Sequence, residues 1–220
     1  MKYPIFSKVI LFFCLASGLY SEVFDKDNDF QVWTQANVKK HLTPCLDFAF
    51  QTEFRFGDDA STLFFYFFQG QIIYAPTDWF EIAPGYRHQY TKIPPENEWV
   101  TGYSPQLDLT FRFCLSSSKM IDRNRFQYVI NELRNLFIFR HRDTVLFPAI
   151  GNTICFYPLI SEEFFLQDQE GFFQNRIEIG GYVPIKDDGK LTLVYVLNHL
   201  KFDRKWRQAH IIRFKFHFSF

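Results

Sequence analysis

The twelve residues CLDFAFQTEFRF, 45–56, hold the pattern on which the rest of the sequence turns. Leu46, Phe48, Phe50, Thr52, Phe54 and Phe56 fall on one side of an extended chain, and Cys45, Asp47, Ala49, Gln51, Glu53 and Arg55 on the other. Successive side chains of a strand point to opposite faces, so a period of two describes a strand between an apolar and a polar environment. A soluble domain can contain one such strand, packed by one face on its core. The fold is decided by whether the pattern recurs.

It recurs along the whole chain. Residues 30–39, 79–90 and 103–115 carry the same alternation, and 123–131, 137–147, 152–165, 176–183, 191–200 and 209–220 carry it less cleanly. The stretch LFFYFFQGQIIYA, 63–75, is apolar on both faces at first and alternates only later. With 45–56 these make eleven segments, none of convincing helical spacing, and the chain reads as all-β. Phenylalanine alone contributes 30 of 220 residues, far above ordinary core usage, yet the mean hydropathy is −0.15. No stretch after the start has the roughly 18 uninterrupted apolar residues of a membrane helix, so a helical bundle is excluded.

The start reads differently. Lys2 and Lys8 flank a short basic region, VILFFCLASGLY follows, and then the polar run SEVFDKDND, which is the layout of a secretory signal peptide over 1–21. Cleavage after Gly18 or after Ser21 fits, leaving one domain over 22–220. The 24 basic and 24 acidic residues of the whole chain balance, which argues against a nucleic-acid partner.

Tight turn chemistry at KHLTP, APTD, SSSK, the Pro148 corner and PIKDDGK separates the segments on one side. Connections that are mostly longer, TKIPPENEWVTG, QDQEGFFQ and KFDRKWRQ among them, separate them on the other. That is the connectivity of a transmembrane β-barrel. A soluble lipocalin-like barrel also alternates, but one interior cannot be both fully apolar and lined with charge. Phenylalanines facing lipid and charges facing a wet lumen account for both faces, so the expectation is an antiparallel transmembrane β-barrel in the bacterial outer membrane. Its strand number should be 10–12. Twelve is preferred because single-chain bacterial barrels are normally even, which requires a further short strand at 22–28 or the fusion of two segments. Pro84, Pro105 and Pro158 should mark bulges. The last strand places Phe214, Phe216, Phe218 and Phe220 on the lipid side, and a final strand ending in phenylalanine resembles the signal read by the outer-membrane barrel assembly machinery.

Several motifs, in order, resemble the domain-of-unknown-function family 2490: DNDFQVWTQ, QTEFRFGDDAS, PGYRHQY, PQLDLTFRF, the EEFF run at 162–165, QNRIEIGGY and the terminal strand. The resemblance spans essentially the whole domain and implies an outer-membrane β-barrel of Gram-negative bacteria, but no activity. FRHRDTVLF departs from the pattern by placing Asp143 on the lipid side.

Candidate functional residues are the charges at inward parity: Glu53, Arg55, Arg87, Asp108, Arg112, Arg140, Arg142, Glu163, Arg176, Glu178 and Arg213. They suit a narrow or gated channel for small solutes, or a structural envelope protein whose lumen is closed by salt bridges. His88, Ser104, His141, His199 and His210 match no catalytic spacing, so neither an enzyme nor a lipid-modifying activity is expected, and no cofactor or metal is implied. Cys45, Cys114 and Cys155 lie towards the tight-turn end on strands that are not neighbours. They are free thiols or crosslinks to other envelope proteins.

Overall fold

The computed structural model describes residues 27–93, 98–133, 135–151, 155–168, 170–185, 188–202 and 205–220, so the signal peptide expected over 1–21 lies outside the described residues. Each of the eleven alternating segments is a strand: β1 (Asp29–Thr43), β2 (Leu46–Gly57), β3 (Thr62–Thr77), β4 (Phe80–Ile93), β5 (Glu98–Leu115), β6 (Ser118–Asn131), β7 (Asn135–Leu146), β8 (Tyr157–Gln167), β9 (Gly171–Ile185), β10 (Gly189–Phe202) and β11 (Lys205–Ser219). Consecutive strands pair antiparallel, and β1 and β11 close the barrel by pairing parallel, from Asp29 opposite Ala209 to Lys39 opposite Ser219. The barrel is therefore mixed and eleven-stranded, not antiparallel and twelve-stranded. The reason is that β1 already uses both its edges, one on β2 and one on β11, leaving no free ladder for a twelfth strand.

The odd count puts the first residues of β1 at one end of the barrel and the last of β11 at the other. These are called the entry end and the terminal end below. Connections at the entry end are short, because the polar stretches assigned to loops continue the ladders: Ile93 is opposite Glu98, and Phe202 opposite Lys205. The longest connection, 147–156, lies at the terminal end, carrying an isolated bridge between Ile150 and Phe156. Loop length thus does not distinguish the two ends in the way the turn chemistry suggested.

Pro84 and Pro105 interrupt pairing without bulging it. Between β3 and β4 the ladder skips from Gln71–Gly85 to Tyr74–Ile82, and between β5 and β6 from Tyr103–Ile130 to Gln106–Gln127, with register unchanged in both. Proline removes one ladder donor but need not add a residue, which is what a bulge requires. Register shifts fall instead at His41/Thr43, Arg55/Phe56, Tyr74/Thr77 and Phe165/Leu166, the third spanning Pro76. One close approach demands glycine: a Cβ on Gly180 would sit 2.2 Å from the Leu193 carbonyl oxygen and 2.7 Å from the Val194 Cα.

Burial follows the pleat. Glu53, Gln69, Arg87, Ser104, Asp108, Arg125, Glu163, Arg176, Glu178 and Arg213 are buried on the inner face, whereas Phe48, Phe50, Phe68, Ile72, Tyr86, Phe126, Tyr128, Ile179, Leu193 and Phe216 are exposed on the outer one. The parallel seam gives a direct test. In a chain with Cys45, Cys114 and Cys155 changed to Ser, the pair Val38→Cys and Phe218→Cys, directly opposite across β1 and β11, is expected to oxidise to an intramolecular disulfide that shifts gel mobility. Val38→Cys with Phe214→Cys, four residues out of register, should not.

Candidate functional site: a cationic cup inside the barrel

The barrel is plugged near its entry end. Trp33, Phe65, Phe67 and Phe165 point inward and are buried, and guanidinium groups stack on them. Arg55 lies 4.0 Å from the Trp33 ring centroid and 4.3 Å from that of Phe65, Arg87 4.0 Å from Phe67, and Arg176 4.5 Å from Phe165. A cation over an aromatic face is attracted by the ring quadrupole, most strongly where water is excluded, so rings and cations seal the cross-section together.

Trp33 is aimed by a relay that begins in the β2–β3 turn. Asp58, Asp59 and Ala60 adopt left-handed backbone, with φ of 53, 54 and 64°. Non-glycine residues reach that region at a cost unless their backbone groups are held. The buried Asp29 carboxylate accepts the N–H groups of Asp58 at 3.2 Å and Asp59 at 3.1 Å. It also accepts Gln31 Nε2 at 2.8 Å, and Gln31 Oε1 in turn accepts the Trp33 indole N–H at 2.9 Å. Two stretches distant in sequence, DNDFQVW and GDDAS, are thereby one structural unit.

Behind the plug lies an ion network. Arg213 donates to Glu178 at 2.9 Å and Gln35 at 2.7 Å, and also to Glu53. Glu178 further accepts Lys215 at 2.7 Å and Arg142 at 2.5 Å. Glu163 accepts Arg123 at 2.7 Å and Arg140 at 2.8 Å, with Arg176 3.6 Å away. Arg125 binds Asp108 in bidentate fashion, 2.6 Å on each side, and Arg55 donates to Glu53 at 2.6 Å. Arg87 is supported by Gln69, at 2.9 and 2.7 Å.

Towards the terminal end the interior opens into a cavity of about 1030 Å³, lined by Arg87, Arg123, Arg125, Arg140, Arg142 and Arg213 at depth and by Lys39, Arg112 and Lys190 nearer the mouth. A separate space of about 60 Å³ lies on the entry side, and among the described residues Arg55 alone lines both. The form is that of a cup with a floor.

All eleven charged candidates line the interior, Arg112 at the mouth, where it pairs with Glu81 at 2.5 Å. The candidate list lacked Arg123, which opened a segment whose parity was weak, and the inward aromatics. The clue to the latter was the two-sided apolar run at 63–75: Phe65 and Phe67 are its inward set, while Tyr66 and Phe68 face out. Ser104 is buried inside against Gln127, whereas His141, His199 and His210 bond to groups on the outer face, so the wall separates this hydroxyl from those imidazoles. Cys45, Cys114 and Cys155 are unbridged at the terminal end, Cys45 and Cys114 exposed. Phe214, Phe216 and Phe218 lie on the outer face of β11, and Phe220 joins the seam through its backbone, its N–H donating to Lys39 O at 3.0 Å and its carbonyl accepting the His41 N–H at 2.9 Å.

Asp143 does face outward, and the register of β7 holds. His141 bonds Asn124 at 2.9 Å and Asp143 at 3.1 Å, with Asp122 alongside at 3.6 Å. The ligand atoms of Asp122, His141 and Asp143 lie within 4.8 Å of one another, on the outer face and away from the cup.

The network makes a stability prediction. Arg213→Ala takes from Glu53 and Glu178 a cation that each shares with others, Arg55 on Glu53 and Arg142 and Lys215 on Glu178, so its cost should fall below the about 3–5 kcal/mol of a buried pair that loses its sole partner. Arg213→Ala is expected to lower the urea midpoint of unfolding, and adding Glu178→Gln should lower it further, because Arg142 and Lys215 then lose their carboxylate.

No curated protein matches the chain. Among solved structures it is similar to LpxR from Salmonella typhimurium, at 8% identity and a TM-score of 0.49, over 79% of this chain and 83% of that one. The family model described as protein of unknown function (DUF2490) matches residues 30–209, from the second residue of β1 into β11, so the match takes in the plug rings and most of the ion network and the cup, but not Arg213 and Lys215. The chain belongs to the DUF2490 family.

Proposed function

We propose that the protein is an integral barrel of the bacterial outer membrane whose lumen is closed by its own side chains, a structural envelope protein rather than a through-channel. The observation that carries this reading is the contrast between the two faces of one wall. Phe48, Phe50, Phe68, Ile72, Phe126, Tyr128, Ile179 and Leu193 stand exposed around the outside at 38–55% of full accessibility, and large apolar side chains grouped on a surface mark a lipid or protein contact. A closed barrel leaves no unpaired sheet edge, which is the condition for crossing lipid with strands. The inside is polar and cross-bridged. The cluster around Asp122 and His141 is the main break in the apolar exterior.

The channel alternative fits less well because the cup and the entry-side space meet only at Arg55, which Trp33, Phe65 and Glu53 hold in place. Catalysis is not part of the proposal, since Ser104 and the outward histidines cannot meet through the wall. The partners it implies are outer-membrane lipids along the apolar belt and the barrel assembly machinery at β11. The exposed thiols of Cys45 and Cys114 are placed to crosslink a neighbouring envelope protein.

Planar-bilayer recording tests it. Refolded wild-type protein is expected to add no conductance steps, and the double variant Trp33→Ala with Arg55→Ala to add small ones. Regular steps from the wild type would favour the channel. Deletion of Phe220, which removes both terminal seam bonds, is expected to reduce the membrane-inserted fraction while leaving export unchanged, as read by fractionation of cell envelopes.

A further inference from the structure

The interior charges do not balance. Below the mouth, Arg55, Arg87, Arg123, Arg125, Arg140, Arg142, Arg176, Arg213 and Lys215 stand against Glu53, Asp108, Glu163, Glu178 and, on the entry side, Asp29, an excess of four positive charges among these residues. The mouth does little to offset it, because Arg112 pairs there with Glu81 and Lys39 with Asp47, and Asp188 is matched by the charge of Lys190. Buried charge without a partner is strongly unfavourable, so an interior that keeps this excess needs negative charge from elsewhere.

Several of the surplus guanidinium groups also line open space. Arg87 is 5% exposed and, among the described residues, bonds no carboxylate but the Gln69 amide oxygen, with its guanidinium over the Phe67 ring. The Nε atoms of Arg123, Arg140 and Arg213 are buried without a partner. Arg87, Arg123, Arg140 and Arg213 all line the cavity of about 1030 Å³. At roughly 30 Å³ per water in the liquid, that volume far exceeds what a few ordered waters need, and it matches a small-molecule site. Guanidinium groups present planar forks suited to phosphate oxygens.

We propose that the cup binds a small phosphate-bearing polyanion, admitted from the terminal end. The ligand supplies the negative charge that the wall lacks, and several phosphate groups on one molecule do so more effectively than separate chloride ions. The proposal rests on the blind-cup reading only for the direction of entry. A conducting wild type would overturn that reading without touching anion binding, and absent binding would leave the closed lumen intact.

The test uses the full-length refolded barrel in phosphatidylcholine vesicles, titrated with inorganic tripolyphosphate by calorimetry at fixed ionic strength. The expected result is saturable binding with a stoichiometry of one, weakened about tenfold, one lost charge-assisted contact, in Arg87→Gln and separately in Arg123→Gln, and unchanged in Lys205→Gln at the opposite end. Arg87→Lys, which keeps the charge, should retain most of the affinity and so separates charge from packing. A second arm with phosphatidylglycerol in the vesicles distinguishes the sources: weaker tripolyphosphate binding there identifies a lipid headgroup as the competing occupant, and unchanged binding identifies a soluble one. The proposal is overturned if tripolyphosphate does not bind, if chloride at the same ionic strength protects the barrel from thermal unfolding equally well, or if Arg87→Gln and Arg123→Gln bind as the wild type does.

Discussion

The structure depends on Arg213. It stands on the closing strand and reaches Gln35 on β1, Glu53 on β2 and Glu178 on β9, so one guanidinium ties together both sides of the parallel seam and a wall segment beyond it. A parallel pair is slightly weaker per residue than an antiparallel one, and here it must hold the first strand to the last. The buried acids that Arg213 joins make the seam a centre of the interior network. Glu178 passes the connection to Arg142 and Lys215, and Arg55 passes it from Glu53 to the plug.

Most of the wall was legible in the sequence, because a strand between two environments writes its period of two directly into the residue order. Phe48, Phe50 and Phe54 against Ala49, Gln51 and Glu53 needed no tertiary information, and the same holds for the inward charges of β7 and β9. Strand ends were less legible. TKIPPENEWVTG looks like a loop by its prolines and polar residues, yet Lys92 pairs with Trp99 because the flanking ladder outweighs local turn propensity.

Closure was not legible at all. Whether β1 meets β11 directly depends on which edges remain free once every hairpin has formed, and no local pattern encodes that. Eleven segments make the first and last strands run the same way, and the preference for an even number took the odd count for a sign of a missing strand where the chain uses a parallel seam. The plug was hidden for a related reason. Trp33 alternates with polar neighbours, and only the relay through Asp29 and Gln31 to the turn at Asp58 and Asp59 shows that it closes the interior. Asp143 read as a fault in register and is instead a member of an outward polar cluster, bonded to His141.

The central claim is that the phenylalanine face meets lipid and the arginine face does not. Site-directed fluorescence in reconstituted vesicles tests it most directly, with an environment-sensitive thiol probe placed at Phe50→Cys or Tyr128→Cys outside and at Gln51→Cys inside, in a chain otherwise free of cysteine. Quenchers carried on lipid chains should quench the probes at 50 and 128 and spare the one at 51, while an aqueous quencher should reach the probe at 51 through the mouth of the cup. Strong aqueous quenching at 50 and 128, with no effect of the lipid-borne quencher, would contradict the account.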